Sequence, residues 1–322
     1  MSFQLPAYNP PDFQALPRVA VRTAPAPCDH AAPSGFHSTT IFPEYLCIDG
    51  VWRLLKGSRM DCAVVLQPQG PMVRELRTLR RGEPVVLGRS EDGREGIYVH
   101  ADGFAGSTAG RELFSFRQNR TRESAYSQDY DRLYELLRYD RDHGYIVWVL
   151  GPAIVFDSDA RSAMSQLVDH GYVHALLAGN ALATHDLEGA LFGTALGLDL
   201  YTKELAPNGH YHHLDAINEA IQAGSLAELV AQRDIQQGVV AACLRRGVPM
   251  VLAGSIRDDG PLPDVIADVY AAQEAMRAHA RRATTVLALA TQLHSIAMGN
   301  MTPSYQVVGQ VVRPVYFYSV DV

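Results

Sequence analysis

Lysine is nearly missing from this sequence: Lys56 and Lys203 are the only two in 322 residues, and the rest of the positive charge is arginine. A Schiff-base mechanism therefore has two candidate nucleophiles. Lys56 lies in the turn LLKGSR and Lys203 in LYTKELAPNG beside Glu204. Neither sits in an apolar segment that would desolvate its ammonium, so covalent lysine chemistry is not expected. Cysteine is also sparse. Cys28, Cys47, Cys62 and Cys243 form no CxxC pair, which excludes a zinc knuckle or redox couple and fits reduced thiols in a cytoplasmic protein. No run approaches the length of a membrane span, and MSFQLPAYNPPDF lacks the basic and apolar regions of a signal peptide. Neither membrane insertion nor secretion is expected. Basic charge is in deficit, with 28 Lys+Arg against 35 Asp+Glu, so nucleic acid is not an expected partner.

What remains is a globular composition, 47% hydrophobic and 20% charged, at a length that suggests two domains. Residues 1–34 carry seven prolines and are expected to be an extended arm, because proline fixes φ and removes a donor. Such an arm could lie against a neighbouring subunit. From 35 to 125 the pattern is β-rich. Short strands are predicted in Tyr45–Leu55, split by an Asp49-Gly50 hairpin turn, and in Asp61–Gln67, Glu83–Gly88 and Glu95–His100. Ala101–Ala125 lacks periodicity and is read as a connecting loop and candidate lid.

Residues 126–322 alternate helix and strand. Helices are predicted over Tyr130–Gly144, Asp159–His170, His185–Gly193, His213–Ala223, Leu226–Arg246 and Pro263–Arg282. Apolar strands are predicted over Tyr145–Phe156, Val173–Gly179, Pro249–Gly254 and Thr284–Ala290. This pattern implies parallel βαβ units, so the fold class is α/β: a small β-rich subdomain followed by a mostly parallel, Rossmann-like nucleotide-binding subdomain.

Ligands of such sheets collect beyond the carboxyl ends of the strands. The loops expected there are Gly151-Pro152, Gly179-Asn180, Gly254–Gly260 and Thr291–Ser295. Glycine permits close main-chain approach to an anion and helix N-termini supply amide donors. No strand is followed by G-x-G-x-x-G, so spacing alone gives an anionic ligand or nucleotide rather than a standard dinucleotide loop. His185-Asp186 could serve as acid and base, or Asp186 could cap a helix. Arg257 suits a substrate carboxylate, Asp258 and Asp259 suit an ammonium, and His294 holds an equivalent place after the last strand. His210, His212 and His213 suggest a metal, but no fourth ligand stands at regular spacing and no metal is expected.

GFHSTTIFPEYLCIDGVWR, LLAGNALATHDLEGALFGTALGLDL, HYHHLDAINEAIQAGS, VLAGSIRDDGPLPDV and LHSIAMGNMTPSY cover most of Gly35–Tyr305. They resemble the family labelled lysine-oxoglutarate reductase/saccharopine dehydrogenase conserved region. Its better-understood members are the NAD-dependent ornithine cyclodeaminases of archaea and the C-terminal part of a cyanobacterial arginine dihydrolase/ornithine cyclodeaminase. The resemblance implies an enzyme, NAD as cofactor and a small, ornithine-like diamino acid as substrate. It places Gly179, Asn180, Gly254, Ser255, Asp258, Asp259, His294 and Ser295 in the family's motif positions, without dividing them between cofactor and substrate. From their chemistry and place, Gly151, Gly179, Asn180, Gly254, Ser255 and Ser295 are the cofactor-binding candidates, Arg257 and Asp259 the substrate-binding ones, and His185, Asp186, Asp258 and His294 the catalytic ones. Against the family, the chain reads as having the proline arm in place of a small N-terminal domain, an insert over Gln306–Tyr318, and an early close at VYFYSVDV. A homo-oligomer is expected to cover the surface this leaves. The alternatives are an NAD-dependent amino-acid dehydrogenase or deaminase, and an NAD-binding homologue without catalysis.

Overall fold

The computed structural model describes residues 3–104, 125–258 and 260–320. The segment read as a candidate lid lies almost wholly outside them, as does Asp259. The chain forms two units, one of residues 1–127 and 300–316, the other of 128–299 and 317–322.

In the first unit, β1 (Arg22–Pro25) comes from the proline-rich arm and pairs with β6 (Pro84–Leu87) at the edge of an antiparallel sheet. An edge is where a strand ending in proline is tolerated. The rest of that sheet is β4 (Ala63–Gln67) and β5 (Gly70–Arg74), in the order β1-β6-β4-β5. A second sheet runs β3 (Val51–Leu54), β2 (Glu44–Ile48), β7 (Ile97–Val99). Asp49 and Gly50 both take positive φ, 53° and 75°, as the predicted two-residue hairpin turn requires. The arm packs on its own unit: the Tyr8 and Tyr45 hydroxyls are 2.8 Å apart, and the Phe13 ring meets Tyr45 edge-on.

The second unit opens with α1 (Ala125–His143), which starts five residues before the predicted helix. Strands β8 (Ile146–Leu150), β9 (Ala175–Gly179), β12 (Met250–Ala253) and β13 (Thr285–Leu289) run parallel. Between β9 and β12 lies a small hairpin, β10 (Thr194–Ala195) and β11 (Leu198–Asp199). The strand predicted over Tyr145–Phe156 ends at Leu150, because Pro152 cannot donate and starts a 3-10 turn, Pro152–Val155. β8 is buried at all five positions, the condition of a strand covered on both faces.

The covering helices are α2 (Ser158–Asp169), α3 (Asn180–Phe192), α4 (His212–Ala223), α5 (Leu226–Gln232), α6 (Val239–Arg246) and α7 (Val269–Ala280). The helix predicted over Leu226–Arg246 is thus two, broken where Asp234 and Gly238 take positive φ. The one predicted from Pro263 starts six residues later, after Ile266 bridges to Ala253 and Asp268 caps α7. α8 (Gln292–Met301) follows β13 almost directly, where a loop through Ser295 was expected.

The chain then returns to the first unit as the hairpin β14 (Tyr305–Val308), β15 (Val311–Pro314). The Tyr305 hydroxyl donates to Leu55 O at 2.7 Å, fixing the hairpin's first strand within that unit. β16 (Tyr316–Val320) closes the larger sheet beside β13. The large sheet stands in the order β12-β9-β8-β13-β16. Counted by appearance in that sheet this is 3-2-1-4-5, the arrangement of the doubly wound nucleotide-binding sheet, whose switch point lies between β8 and β13. Among the described residues no helix is long and apolar enough to cross a membrane.

Candidate functional site

Three glycines end neighbouring parallel strands at nearly one level. Leu150 pairs with Ala178 and Gly179 with Ala253, so Gly151, Gly179 and Gly254 line the carboxyl edge of β8, β9 and β12. Each stands where a side chain would intrude. A Cβ on Gly179 would lie 3.3 Å from His294 Cε1, and one on Gly254 would lie 3.2 Å from Ala267 Cα. His294, from α8, is thereby brought against the start of α3. Burial pushes its imidazole below the usual histidine range, which disfavours the charged form.

The helices that start at this edge differ in their first turns. Asp157 caps α2, accepting from the Asp159 and Ala160 amides at 3.1 and 2.9 Å, and Asp268 caps α7 from Ala271 N at 2.7 Å. A carboxylate already at those N-termini repels an incoming anion. α3 starts at Gly179 with no side-chain cap, so its first-turn amides and positive dipole end are open to a phosphate. Asn180 instead turns sideways: its amide donates to Gly260 O at 3.2 Å and its carbonyl accepts from Leu262 N at 3.1 Å. That ties the loop after β12 to the head of α3. Within this loop Ser255 N donates to Asp258 Oδ2 at 2.8 Å and Arg257 N to Ser255 Oγ at 3.2 Å. Arg257 is exposed and, among the described residues, its guanidinium has no carboxylate partner. Ser295 Oγ, in the first turn of α8, donates to Thr291 O just before the helix.

His185 and Asp186 lie in the second turn of α3, not in a loop, because the helix starts directly at the strand end. Successive helical residues point about 100° apart, and these two have different partners. Asp186 is 1% exposed and accepts from Arg161 Nε at 2.7 Å and from Val240 N, in the first turn of α6, at 2.8 Å. It does cap a helix, but a neighbouring one. His185 Nδ1 lies 2.8 Å from Glu188 Oε2, with the Phe156 ring edge-on at 5.3 Å.

Glu188 is the residue that sequence reading missed. It is fully buried and also accepts from Thr194 Oγ1 and Gly197 N, both at 2.9 Å, and from Leu196 N at 3.2 Å. The signal was present as His185-x-x-Glu188, the spacing of one helix face. Burial alone would raise its carboxyl, but the donors from His185, Gly197 and Thr194 outweigh that and hold it below the usual glutamate range. A depressed carboxyl contributes stability that is present above the ordinary glutamate pKa and lost as pH falls through the lowered value. Glu188→Gln is therefore expected to flatten the acid side of the stability–pH curve, read as urea midpoints across the acid range. An unchanged curve would refute the assignment.

His212 belongs to the same cluster, with Nδ1 2.8 Å from Thr194 Oγ1. Among the described residues no three His, Cys, Asp or Glu side chains are grouped to hold a metal. Lys203 Nζ donates to Leu200 O and Phe156 O at 2.7 and 2.8 Å. An ammonium held by two carbonyls is a poor nucleophile. Lys203→Arg is expected to keep most activity, and borohydride with substrate should trap no adduct on either lysine by intact-mass analysis.

Residues 133–316 match the family described as arginine dihydrolase ArgZ-like, C-terminal, Rossmann fold. The chain belongs to this family. An ornithine cyclodeaminase of Methanopyrus kandleri is 43% identical over 288 residues, covering 88% of this chain and 68% of that protein. A conserved LOR/SDH protein of Methanococcus maripaludis superposes with a TM-score of 0.81 at 33% identity, over 93% of this chain and 87% of that one. The bifunctional arginine dihydrolase/ornithine cyclodeaminase AgrE of Nostoc is 37% identical over 86% of this chain, which spans 39% of AgrE's length. A ternary complex of AgrE with ornithine and NAD+ superposes with a TM-score of 0.55 at 35% identity, over 90% of this chain and 40% of that one. The named members of the ArgZ-like family are enzymes, and this chain is an ornithine cyclodeaminase-like member. The resemblance drawn from the sequence motifs thus holds.

Proposed function

We propose that the chain is an NAD-dependent ornithine cyclodeaminase, converting ornithine to proline and ammonia. The observation that carries the reading is the uncapped N-terminus of α3 at the glycine-lined strand ends, beside His294, in a sheet ordered for a dinucleotide. The residues fit NAD with one departure from the usual pattern: Asp157 occupies the helix after the first strand, so the pyrophosphate falls to Gly179 and the amides that open α3. Gly151, Asn180, Gly254 and Ser255 shape the rest of that edge, and Ser295 belongs to the helix that carries His294.

Bound NAD would supply a hydride acceptor for substrate Cα and return the hydride to the cyclic imine, so the net reaction is redox-neutral. The chain's own residues do the remaining work. Arg257 holds the substrate carboxylate, and the charges of Asp258 and Asp259 suit the ammonium groups. His294 takes the proton from the α-amine, and His185 takes the one that must leave the side-chain amine before it attacks. Asp186, committed to Arg161 and α6, serves to fix α3 rather than to transfer protons. A homo-oligomer is part of the proposal, since Tyr201 and Leu205 are 77% and 83% exposed and a second copy would cover them. A monomeric mass by light scattering would remove that part.

Incubating the purified protein with ornithine, without added nucleotide, is expected to give proline and ammonia in equal amounts, with NAD copurifying. A keto acid formed with stoichiometric NADH would make it a dehydrogenase. Nucleotide binding without turnover would make it a non-catalytic homologue.

A further inference from the structure

α3 is buried along most of its length and yet carries His185, Asp186 and Glu188 inside it. Burying such groups is costly unless hydrogen bonds replace the water they lose. Around Glu188 the bonding has a definite polarity. The Leu196 and Gly197 amides can only donate, one to each carboxylate oxygen. An ionised carboxylate can only accept, so the Thr194 hydroxyl spends its single proton on Oε1 at 2.9 Å. Thr194 oxygen must then accept from His212, whose Nδ1 lies 2.8 Å away. By the same rule His185 Nδ1, 2.8 Å from Oε2, carries its ring's proton. A neutral imidazole has one N–H, so Nε2 of both histidines bears a lone pair.

The backbone is built to bring these groups together. Gly193, at φ 72°, turns the chain out of α3 so that residues 194–197 fold back over Glu188. Gly197, at φ 75°, meets Gly209 so closely that a Cβ on Gly209 would lie 2.3 Å from Gly197 O. That crossing of the two loops delivers His212 to Thr194. The rings are held in place: Phe156 packs edge-on against His185 at 5.3 Å, and Phe192 stacks on His212 at 4.9 Å and 23°.

We propose that Glu188 is a positioning residue that fixes both His185 and His212 as Nδ1–H tautomers, so that each presents an unprotonated Nε2 as a proton acceptor. On the cyclodeaminase reading, on which its catalytic part rests, the side-chain ammonium of ornithine loses a proton to His185 Nε2. The N–H bond breaks, the electron pair stays on the amine as the nucleophile, and the imidazolium faces the Glu188 carboxylate. Two histidines that looked like a metal site and an isolated acid/base pair become one device.

Long-range ¹⁵N–¹H correlation spectra of the imidazoles test this without turnover, with signals assigned through His185→Asn and His212→Asn. In the wild-type protein at pH above histidine titration, both are expected as Nδ1–H. Glu188→Gln is expected to release both tautomers and, because its amide cannot replace a carboxylate, to lower kcat/KM for ornithine by about 100-fold. Glu188→Asp should restore part of both. Should Glu188→Gln fail to fold, Thr194→Val should release the His212 tautomer alone and leave His185 as Nδ1–H. An Nε2–H tautomer at either histidine in the wild-type protein overturns the proposal, as do unchanged tautomers in a folded Glu188→Gln or unchanged kcat/KM despite released ones. Expected tautomers in a protein that does not turn over ornithine would instead sink the cyclodeaminase reading and leave the positioning role standing.

Discussion

Arg161→Met is expected to destabilise the protein by about 3–5 kcal/mol, because it strands a buried carboxylate. Arg161 is 7% exposed, and its guanidinium donates from Nε to Asp186 Oδ1 at 2.7 Å and from Nη2 to Asp186 O at 2.9 Å. Nη2 also reaches Gln237 O at 3.4 Å, in the break before α6. A Cβ on Gly238 would lie 2.4 Å from that nitrogen and 2.7 Å from Asp186 Oδ2, so the break closes only with glycine there. One ion pair thus ties α2, α3 and the start of α6. Asp186→Leu alone should cost a comparable amount by leaving the guanidinium unpaired. The double variant Arg161→Met/Asp186→Leu should recover much of the loss, since replacing both charges removes the desolvation cost together with the attraction. Urea unfolding of the three proteins measures this directly. The decisive comparison is Asp186→Asn: if it stays as stable as the wild-type protein but loses turnover, Asp186 is the catalytic acid or base that its place beside His185 suggested, and the fixing role is wrong.

That ion pair also shows where the sequence stops being readable. Each apolar run predicted as a strand contains one, and Asp49-Gly50 became the turn its chemistry demands, because both signals are local. Arg161 and Asp186 stand 25 residues apart with nothing in spacing to join them. The break before α6 was hidden because apolar residues continue across it, at Leu229, Val230, Ile235, Val239 and Val240, and only Gly238 punctuates them. α8 was read as a loop because Thr291-Gln292 and His294-Ser295 are polar, although a helix needs only that its turns be satisfied. The strand-end glycines were legible as a ligand edge, but not which helix would receive an anion. That depends on Asp157 and Asp268 having already filled two of the N-termini. Glu188 was half legible: its helix partner His185 is at i−3, while its other donors arrive only after the chain has turned at Gly193.

Gly151→Ala is expected to be the most damaging single methyl group at the strand ends. At φ −86° and ψ 163° the backbone of Gly151 suits any residue, so the whole effect is steric. The added Cβ would stand 1.7 Å from Ala290 O and 2.6 Å from Ala290 C, which no rotamer change relieves because both atoms are main chain. Nor can either strand retreat cheaply. Gly151 N donates to Leu289 O at 2.9 Å, and Ala290 N donates to Val320 O at 3.0 Å, so separation breaks the β8–β13 or the β13–β16 edge. Overpacking against backbone places the loss at roughly 3 kcal/mol, the upper end of the usual range. Because β8 and β13 flank the switch point, the variant should also lose its thermal shift with NAD. Gly179→Ala separates the two effects. Its Cβ would press on the His294 ring at 3.3 Å and meet Ala253 O at an ordinary 3.8 Å, and a ring can yield, so stability should fall by less than about 1 kcal/mol. If the amides that open α3 hold the pyrophosphate, that small change should still weaken NAD binding at least tenfold by calorimetry. Unimpaired NAD affinity in a folded Gly179→Ala would move the phosphate site away from α3, and an unfolding midpoint of Gly151→Ala equal to that of the wild-type protein would mean the two strand ends do not meet as closely as described.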